Sequence, residues 1–126
     1  MKTESFQWWP RALCIAAILF ISLFAADSFS PGLSFWQQIT GFLIHLIPSF
    51  ILIGVLLLAW KRELTGGILL ILISLGFTPF VFKLNYNPGE SIWHGIAPIL
   101  LVTMPFLIAG ILFIISHKLR TRKLTT

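Results

Sequence analysis

Residues 41–82 read GFLIHLIPSFILIGVLLLAWKRELTGGILLILISLGFTPFVF, where two apolar runs are separated only by Lys61, Arg62 and Glu63. Each run is close to the length of about 20 apolar residues that a helix needs to cross a bilayer's hydrocarbon core. So short a connection requires the two helices to lie side by side and antiparallel. This stretch therefore predicts a membrane-spanning helical hairpin.

Two further apolar runs flank the hairpin, at about residues 9–26 and 93–116. With about residues 41–60 and 64–82 they predict one domain over residues 1–126, an all-α integral membrane bundle of four helices. The chain is 57% hydrophobic and 10% charged, and a water-soluble fold of this size could not cover that apolar surface. The basic residues that give the net charge of +5 lie beside the predicted spans. They therefore indicate how the chain is oriented in the membrane, and we expect no nucleic-acid partner.

The first apolar run has an alternative interpretation as a cleaved signal peptide, since Arg11 precedes an apolar core that ends in small residues. Trp8, Trp9 and Pro10 are unusual in the leading segment of such a peptide. We therefore expect a retained first span.

Basic residues predict the orientation of the bundle, because Lys and Arg are retained in cytoplasmic flanks. One side holds eight of the nine basic residues, namely Lys2, Arg11, Lys61, Arg62, Lys118, Arg120, Arg122 and Lys123. The other side holds Lys83 alone. Both termini are therefore predicted to be cytoplasmic. The five tryptophans fall at or near the predicted span boundaries, as expected for residues that favour the headgroup level: Trp8, Trp9, Trp36, Trp60 and Trp93.

Four segments carry a resemblance to a known group of proteins: WWPR at residues 8–11, ISLFAADSF at 21–29, FLIHLIPSF at 42–50 and AWKRELTGG at 59–67. They resemble an uncharacterised family, a domain of unknown function, of small four-span bacterial membrane proteins. The resemblance implies this topology and a multi-pass location in the bacterial cytoplasmic membrane. It implies no activity.

His45 is the most informative single residue, because ionisable groups at membrane depth are candidates for function. Ser49 lies one turn along the same predicted helix, next to Pro48, which removes one backbone hydrogen bond. One hypothesis is a titrating or ligand-binding site of His45 and Ser49, with Asp27, Glu90 or His94 nearby. The other is a neutral imidazole that hydrogen-bonds between helices.

Small and hydroxyl residues form two stripes, Gly67, Ser74 and Thr78 in the third span, and Gly95, Thr103 and Gly110 in the fourth. Such residues let helices approach closely in lipid. We expect them to serve packing, with a path lined by Ser74, Thr78 and Thr103 as the alternative.

For function, the sequence favours a structural or accessory membrane protein that packs against itself or another membrane protein. The alternative is a small dimeric transporter or channel in which His45 titrates. We expect no enzyme activity, no cofactor and no metal site, because His45, His94 and the single cysteine, Cys14, lack the spacing of a ligand set or a catalytic motif.

Overall fold

The computed structural model describes residues 3–125, with the side chains of all of these except residues 3–5 and 24. Almost all of the described residues are helical. The elements are α1 (Thr3–Phe24), a short 3-10 helix (Ala25–Ser28), α2 (Phe35–Lys61), α3 (Glu63–Asn85), α4 (Trp93–Val102) and α5 (Met104–Leu124). Over the described residues there is no strand, so the prediction of an all-α fold is confirmed.

Four helical segments are long and apolar enough to cross a membrane: Phe6–Ser28, Phe35–Lys61, Glu63–Asn85 and Trp93–Leu124. The last comprises α4 and α5, which are separated only by Thr103. Pro105 has no amide hydrogen and cannot donate the backbone hydrogen bond that would continue the helix, which accounts for the interruption at the nearby Thr103. The four spans expected from the apolar runs are thus present as four long helices.

Local sequence determines where α2 begins and ends. Ser34 Oγ accepts a hydrogen bond from the Gln37 amide, and the Gln37 side chain accepts one from the Ser34 amide. This reciprocal capping box satisfies two donors that the first turn of a helix leaves unpaired. At the other end only Arg62, with non-helical φ and ψ of −132° and 82°, separates α2 from α3. The two helices therefore form the tight hairpin that the sequence predicts.

The helices form a ring in which sequence neighbours pack together and α1 closes the ring against α5. We call one end the basic end; it holds the start of α1, the turn at Arg62 and the end of α5. The opposite, loop end holds the 3-10 helix and the connections at residues 29–34 and 86–92. Lys2, which the sequence assigns to the same side as Arg62, lies outside the described residues.

Close helix contacts lie mainly toward the basic end. A Cβ added to Gly67 would lie 2.7 Å from the Gly110 carbonyl oxygen, and one added to Gly66 would lie 2.2 Å from Ala59 Cα. The backbones of α3 and α5, and those of α2 and α3, thus approach as closely as glycine permits. Of the two predicted stripes, every member is buried except the half-buried Thr78, so these faces point into the bundle.

Candidate functional site

A cavity of about 380 Å³ lies in the half of the bundle toward the loop end. Most of its wall comes from α2 and α3, and it reaches inward to α1 and to the junction of α4 and α5. We call it the α2–α3 cavity; its lining residues are Ile21, Ile44, His45, Pro48, Leu52, Ile73, Ser74, Phe77, Phe80, Val81, Leu84, Val102, Thr103 and Phe106. This volume lies within the range of small-molecule sites in proteins.

The hairpin that forms the cavity is closed at one end and open at the other. Near the turn, Gly66 lies against Ala59 without room for a side chain. Toward the loop end the cavity separates the same two helices, and its rim residues Ile44, Phe80 and Leu84 are exposed. The cavity therefore opens sideways between α2 and α3, onto the apolar outer surface of the bundle.

The cavity extends over about half of the bundle's apolar thickness. At 1.5 Å per residue, Ser74 lies about 16 Å along α3 from Glu63, and Leu84 about 31 Å. His45 lies about 24 Å along α2 from Lys61. A bilayer's hydrocarbon core is about 30 Å thick, so the cavity corresponds in length to one leaflet.

Two of the three polar residues in the lining use their hydroxyl hydrogens within their own helices. Ser74 Oγ donates to the Leu70 carbonyl at 2.7 Å, and Thr103 Oγ1 donates to the Ile99 carbonyl at 2.7 Å. These bonds satisfy the hydroxyls without a ligand. The deep part of the cavity consequently presents mainly hydrocarbon.

His45 is the third polar residue, and its ring makes hydrogen bonds to the protein through one nitrogen, Nδ1. Nδ1 lies 2.7 Å from the Gly41 carbonyl oxygen and 3.2 Å from Ser28 Oγ. Because a carbonyl oxygen can only accept, Nδ1 carries the hydrogen and donates it. Nε2 is then the atom through which the neutral imidazole can accept a hydrogen bond from another molecule.

The structure does not bring the three residues singled out in the sequence into one site. Ser49 is buried and its hydroxyl lies 3.0 Å from that of Ser22 in α1. Asp27 is exposed on the 3-10 helix, where its backbone carbonyl accepts a bond from Ser30. His45 instead shares the α2–α3 cavity with Ser74 and Thr103. These two were predicted as members of the polar stripes and of the alternative path.

The other predicted neighbours of His45 pair elsewhere. His94 Nδ1 lies 3.7 Å from Glu90 Oε2, one turn apart and both exposed. In the described part of the chain, no group of three His, Cys, Asp or Glu side chains is placed to hold a metal ion. Cys14 is buried in the core.

A polar cluster that the sequence did not predict lies at the basic end. Glu63, the first residue of α3, is only 1% exposed. Its carboxylate accepts hydrogen bonds from Arg120 Nη2 at 2.8 Å and from Ser116 Oγ at 3.2 Å. Ser116 and Arg120 are spaced so that they share one face of α5. This spacing is visible in the sequence and is the signal that could have indicated the cluster.

A second cluster at this end surrounds Arg11. Its guanidinium carbon lies 4.9 Å from the centre of the Trp60 ring and 5.6 Å from that of Trp8. The two rings meet edge to face at 6.4 Å. Each cluster contains residues from two helices. Together they connect α1 to α2 and α3 to α5 at the basic end.

Comparison with known proteins identifies the chain at the level of a family. The model of a family described as "Domain of unknown function (DUF7670)" matches residues 1–126. No curated protein and no solved structure matches.

Proposed function

This chain belongs to the DUF7670 family, a domain of unknown function, and we propose that it is a multi-pass membrane protein that binds an apolar or amphipathic molecule in the α2–α3 cavity. The observation that carries the proposal is the cavity's sideways opening between α2 and α3. In a membrane such an opening faces hydrocarbon, so molecules dissolved in the bilayer can enter without passing through water. The exposed apolar rim of Ile44, Phe80 and Leu84 is compatible with this route.

The proposal includes an orientation in which the basic end is cytoplasmic. Its support is the distribution of Lys and Arg, which are retained on the cytoplasmic side of membranes. Arg11 and Trp60 also meet at this end, as expected for residues that favour the headgroup region. The cavity would then open into the outer leaflet. The bacterial cytoplasmic membrane is the location that we propose from the sequence resemblance.

We assign the cavity a binding role and no reaction. Ser74 and Thr103 direct their hydroxyl hydrogens to backbone carbonyls, and His45 Nδ1 is engaged by Gly41. This pattern lacks the hydrogen bond between nucleophile and base on which covalent catalysis depends. The expectation that the chain is not an enzyme therefore stays part of the proposal.

The transporter hypothesis needs a path to the basic end as well. Between the cavity and that end, the core residues Leu56, Leu70 and Phe113 are almost fully buried. Binding within one leaflet therefore fits the geometry better than passage through one copy of the chain. If pH-dependent substrate flux were observed in liposomes and disappeared in His45→Ala, the transporter hypothesis would replace binding alone.

An accessory role is a second candidate, favoured by two exposed glycines. The predicted small-residue stripes pack inside the chain, so they do not provide a surface for a partner. Gly54 in α2 and Gly76 in α3 are exposed, and an added Cβ would contact nothing within 4 Å. Such sites permit close approach by a helix of another membrane protein or of a second copy. Mild-detergent purification with identification of co-purifying proteins tests this role.

The binding proposal is tested by native mass spectrometry of the full chain released from membranes. Ile73→Trp places an indole in the cavity, whereas Leu72→Trp places it on the exposed outer face of the same helix. We expect bound apolar molecules on the unmodified chain and on Leu72→Trp, and their loss from Ile73→Trp. Equal occupancy of all three proteins would rule out the cavity as the site.

A further inference from the structure

We propose that the ligand of the α2–α3 cavity is a fatty acid, whose hydrocarbon tail enters the cavity and whose carboxyl group binds His45 Nε2. This inference rests on the proposed function and names its ligand class. It follows from three properties of the cavity: its sideways opening, the chemistry of its deep part and the position of its one ring nitrogen available to a ligand.

The lining of the cavity selects a hydrocarbon chain. The cavity runs from the level of Ser74 to that of Leu84, a distance of about 15 Å along α3. About 8 Å of it lies between the level of His45 and that of Ser74, and the sideways opening between α2 and α3 lets the rest of a longer chain continue into the bilayer. Since the hydroxyls of Ser74 and Thr103 donate to their own helices, a ligand with polar groups along its length would lose hydrogen bonds to water without replacement. An unsubstituted chain loses none.

The position of His45 selects the polar end. It lies about 24 Å from the turn, near the loop-end boundary of a core of about 30 Å. A head group bound to the ring would therefore lie about 6 Å below that boundary. At this depth a protonated carboxyl, which carries no charge, costs less to bury than a charged head group.

The hydrogen-bonding state of the ring requires a head group that can donate to Nε2, and a carboxyl is favoured among such groups because it keeps the bond when its proton moves to the ring. With Nδ1 donating to Gly41, the neutral ring can only accept at Nε2, and a protonated carboxyl donates there. If the proton moves to the ring, Nε2 donates to the carboxylate, so the pair shares one proton and one hydrogen bond either way. An ester has no hydrogen to donate to the neutral ring.

The experiment measures binding of radiolabelled palmitic acid to the full chain in phosphatidylcholine nanodiscs, with protein-free nanodiscs subtracted to remove partition into lipid. A bilayer is preferred to detergent because detergents are themselves single-chain amphiphiles. Methyl palmitate is the matched ligand, since it keeps the tail and removes the acidic hydrogen. We expect palmitic acid to bind about tenfold more tightly than the ester, the effect of one charge-assisted hydrogen bond.

Two variants, with a third as control, separate this inference from the proposed function. His45→Phe keeps a ring of similar size without Nε2, and should lower palmitic acid affinity about tenfold while ester binding stays unchanged. Unchanged ester binding also reports that the cavity is intact. Ile73→Trp should abolish binding of both ligands, and Leu72→Trp should alter neither.

The outcomes are distinct. If acid and ester bind equally to the unmodified chain and to His45→Phe, and Ile73→Trp removes both, the cavity binds apolar molecules but the role of the carboxyl is wrong. If Ile73→Trp leaves binding of both unchanged, the inference and the proposed function fail together. Acid binding about tenfold tighter than ester binding, with this difference lost in His45→Phe and both ligands lost in Ile73→Trp, supports both.

Discussion

Arg120 Nη2 lies 2.8 Å from Glu63 Oε2 and joins the last turns of α5 to the first residue of α3. The carboxylate is buried, whereas the arginine side chain is 49% exposed. Glu63 is also placed at a helix N-terminus, where backbone amides favour a negative charge. The contact therefore neutralises a charge that the packing of α3 against α5 removes from solvent.

Replacing Arg120 by alanine should destabilise the fold, because it leaves the buried carboxylate of Glu63 with Ser116 as its side-chain donor. We expect a loss of about 2 kcal/mol, in the range for hydrogen bonds to charged groups. Thermal unfolding in mild detergent measures it. Lys118→Ala is the control, since Lys118 is exposed on the same helix. Equal melting temperatures for the two variants would contradict a stabilising role for the pair.

Substitution of Gly67 by alanine should separate α3 from α5. The new Cβ would lie 2.7 Å from the Gly110 carbonyl oxygen, a backbone atom that can move only with its helix. We expect a cost of about 2 kcal/mol, as for other overpacked contacts. Gly76→Ala is the matched control in the same helix, because its Cβ has open space; there, higher helix propensity should leave the stability equal or slightly raised.

The cluster around Arg11 predicts that Trp60 matters more than Trp9. Removing the indole in Trp60→Leu eliminates the ring 4.9 Å from the guanidinium, and should lower the free energy of unfolding by about 1 kcal/mol. Trp9 is exposed on α1, so Trp9→Leu should have a smaller effect. Denaturation of the two variants under identical conditions compares their free energies of unfolding. A larger loss of stability in Trp9→Leu than in Trp60→Leu would count against the cation–π contact.

The proposed orientation predicts which ends of the helices face the outside of the cell. In a Cys14→Ser background, a cysteine at Asn87 should react with a membrane-impermeant maleimide added to intact cells. A cysteine at Thr125 should react only after the membrane is opened. The reverse pattern would place the basic end outside.

The sequence predicted the helices well because the signal for each is local. Apolar runs of sufficient length indicate spans whatever their neighbours, and the three-residue connection at Lys61–Glu63 indicates the hairpin without further information. Ser74 and Thr103 were likewise assigned to inward faces by spacing alone. Such conclusions need only the helical repeat.

The contacts between distant segments were not predictable in the same way. Glu63 meets Arg120 across 57 positions of sequence, which requires knowing that α3 packs against α5 and how each is rotated about its axis. The structure also does not bring His45, Ser49 and Asp27 together, since spacing along one helix does not show that Ser49 faces Ser22 while His45 faces the cavity.

The pairing of Glu63 with α5 has a consequence for how the protein is made. Synthesis proceeds from the N-terminus, so the carboxylate of Glu63 emerges long before Ser116 and Arg120, its two donors in α5. During that interval the hairpin of α2 and α3 carries an unpaired acid at its turn, where water can still reach it. Docking of the final helix would convert this exposed charge into a buried one, so the last step of assembly would also be the step that excludes water from the carboxylate of Glu63.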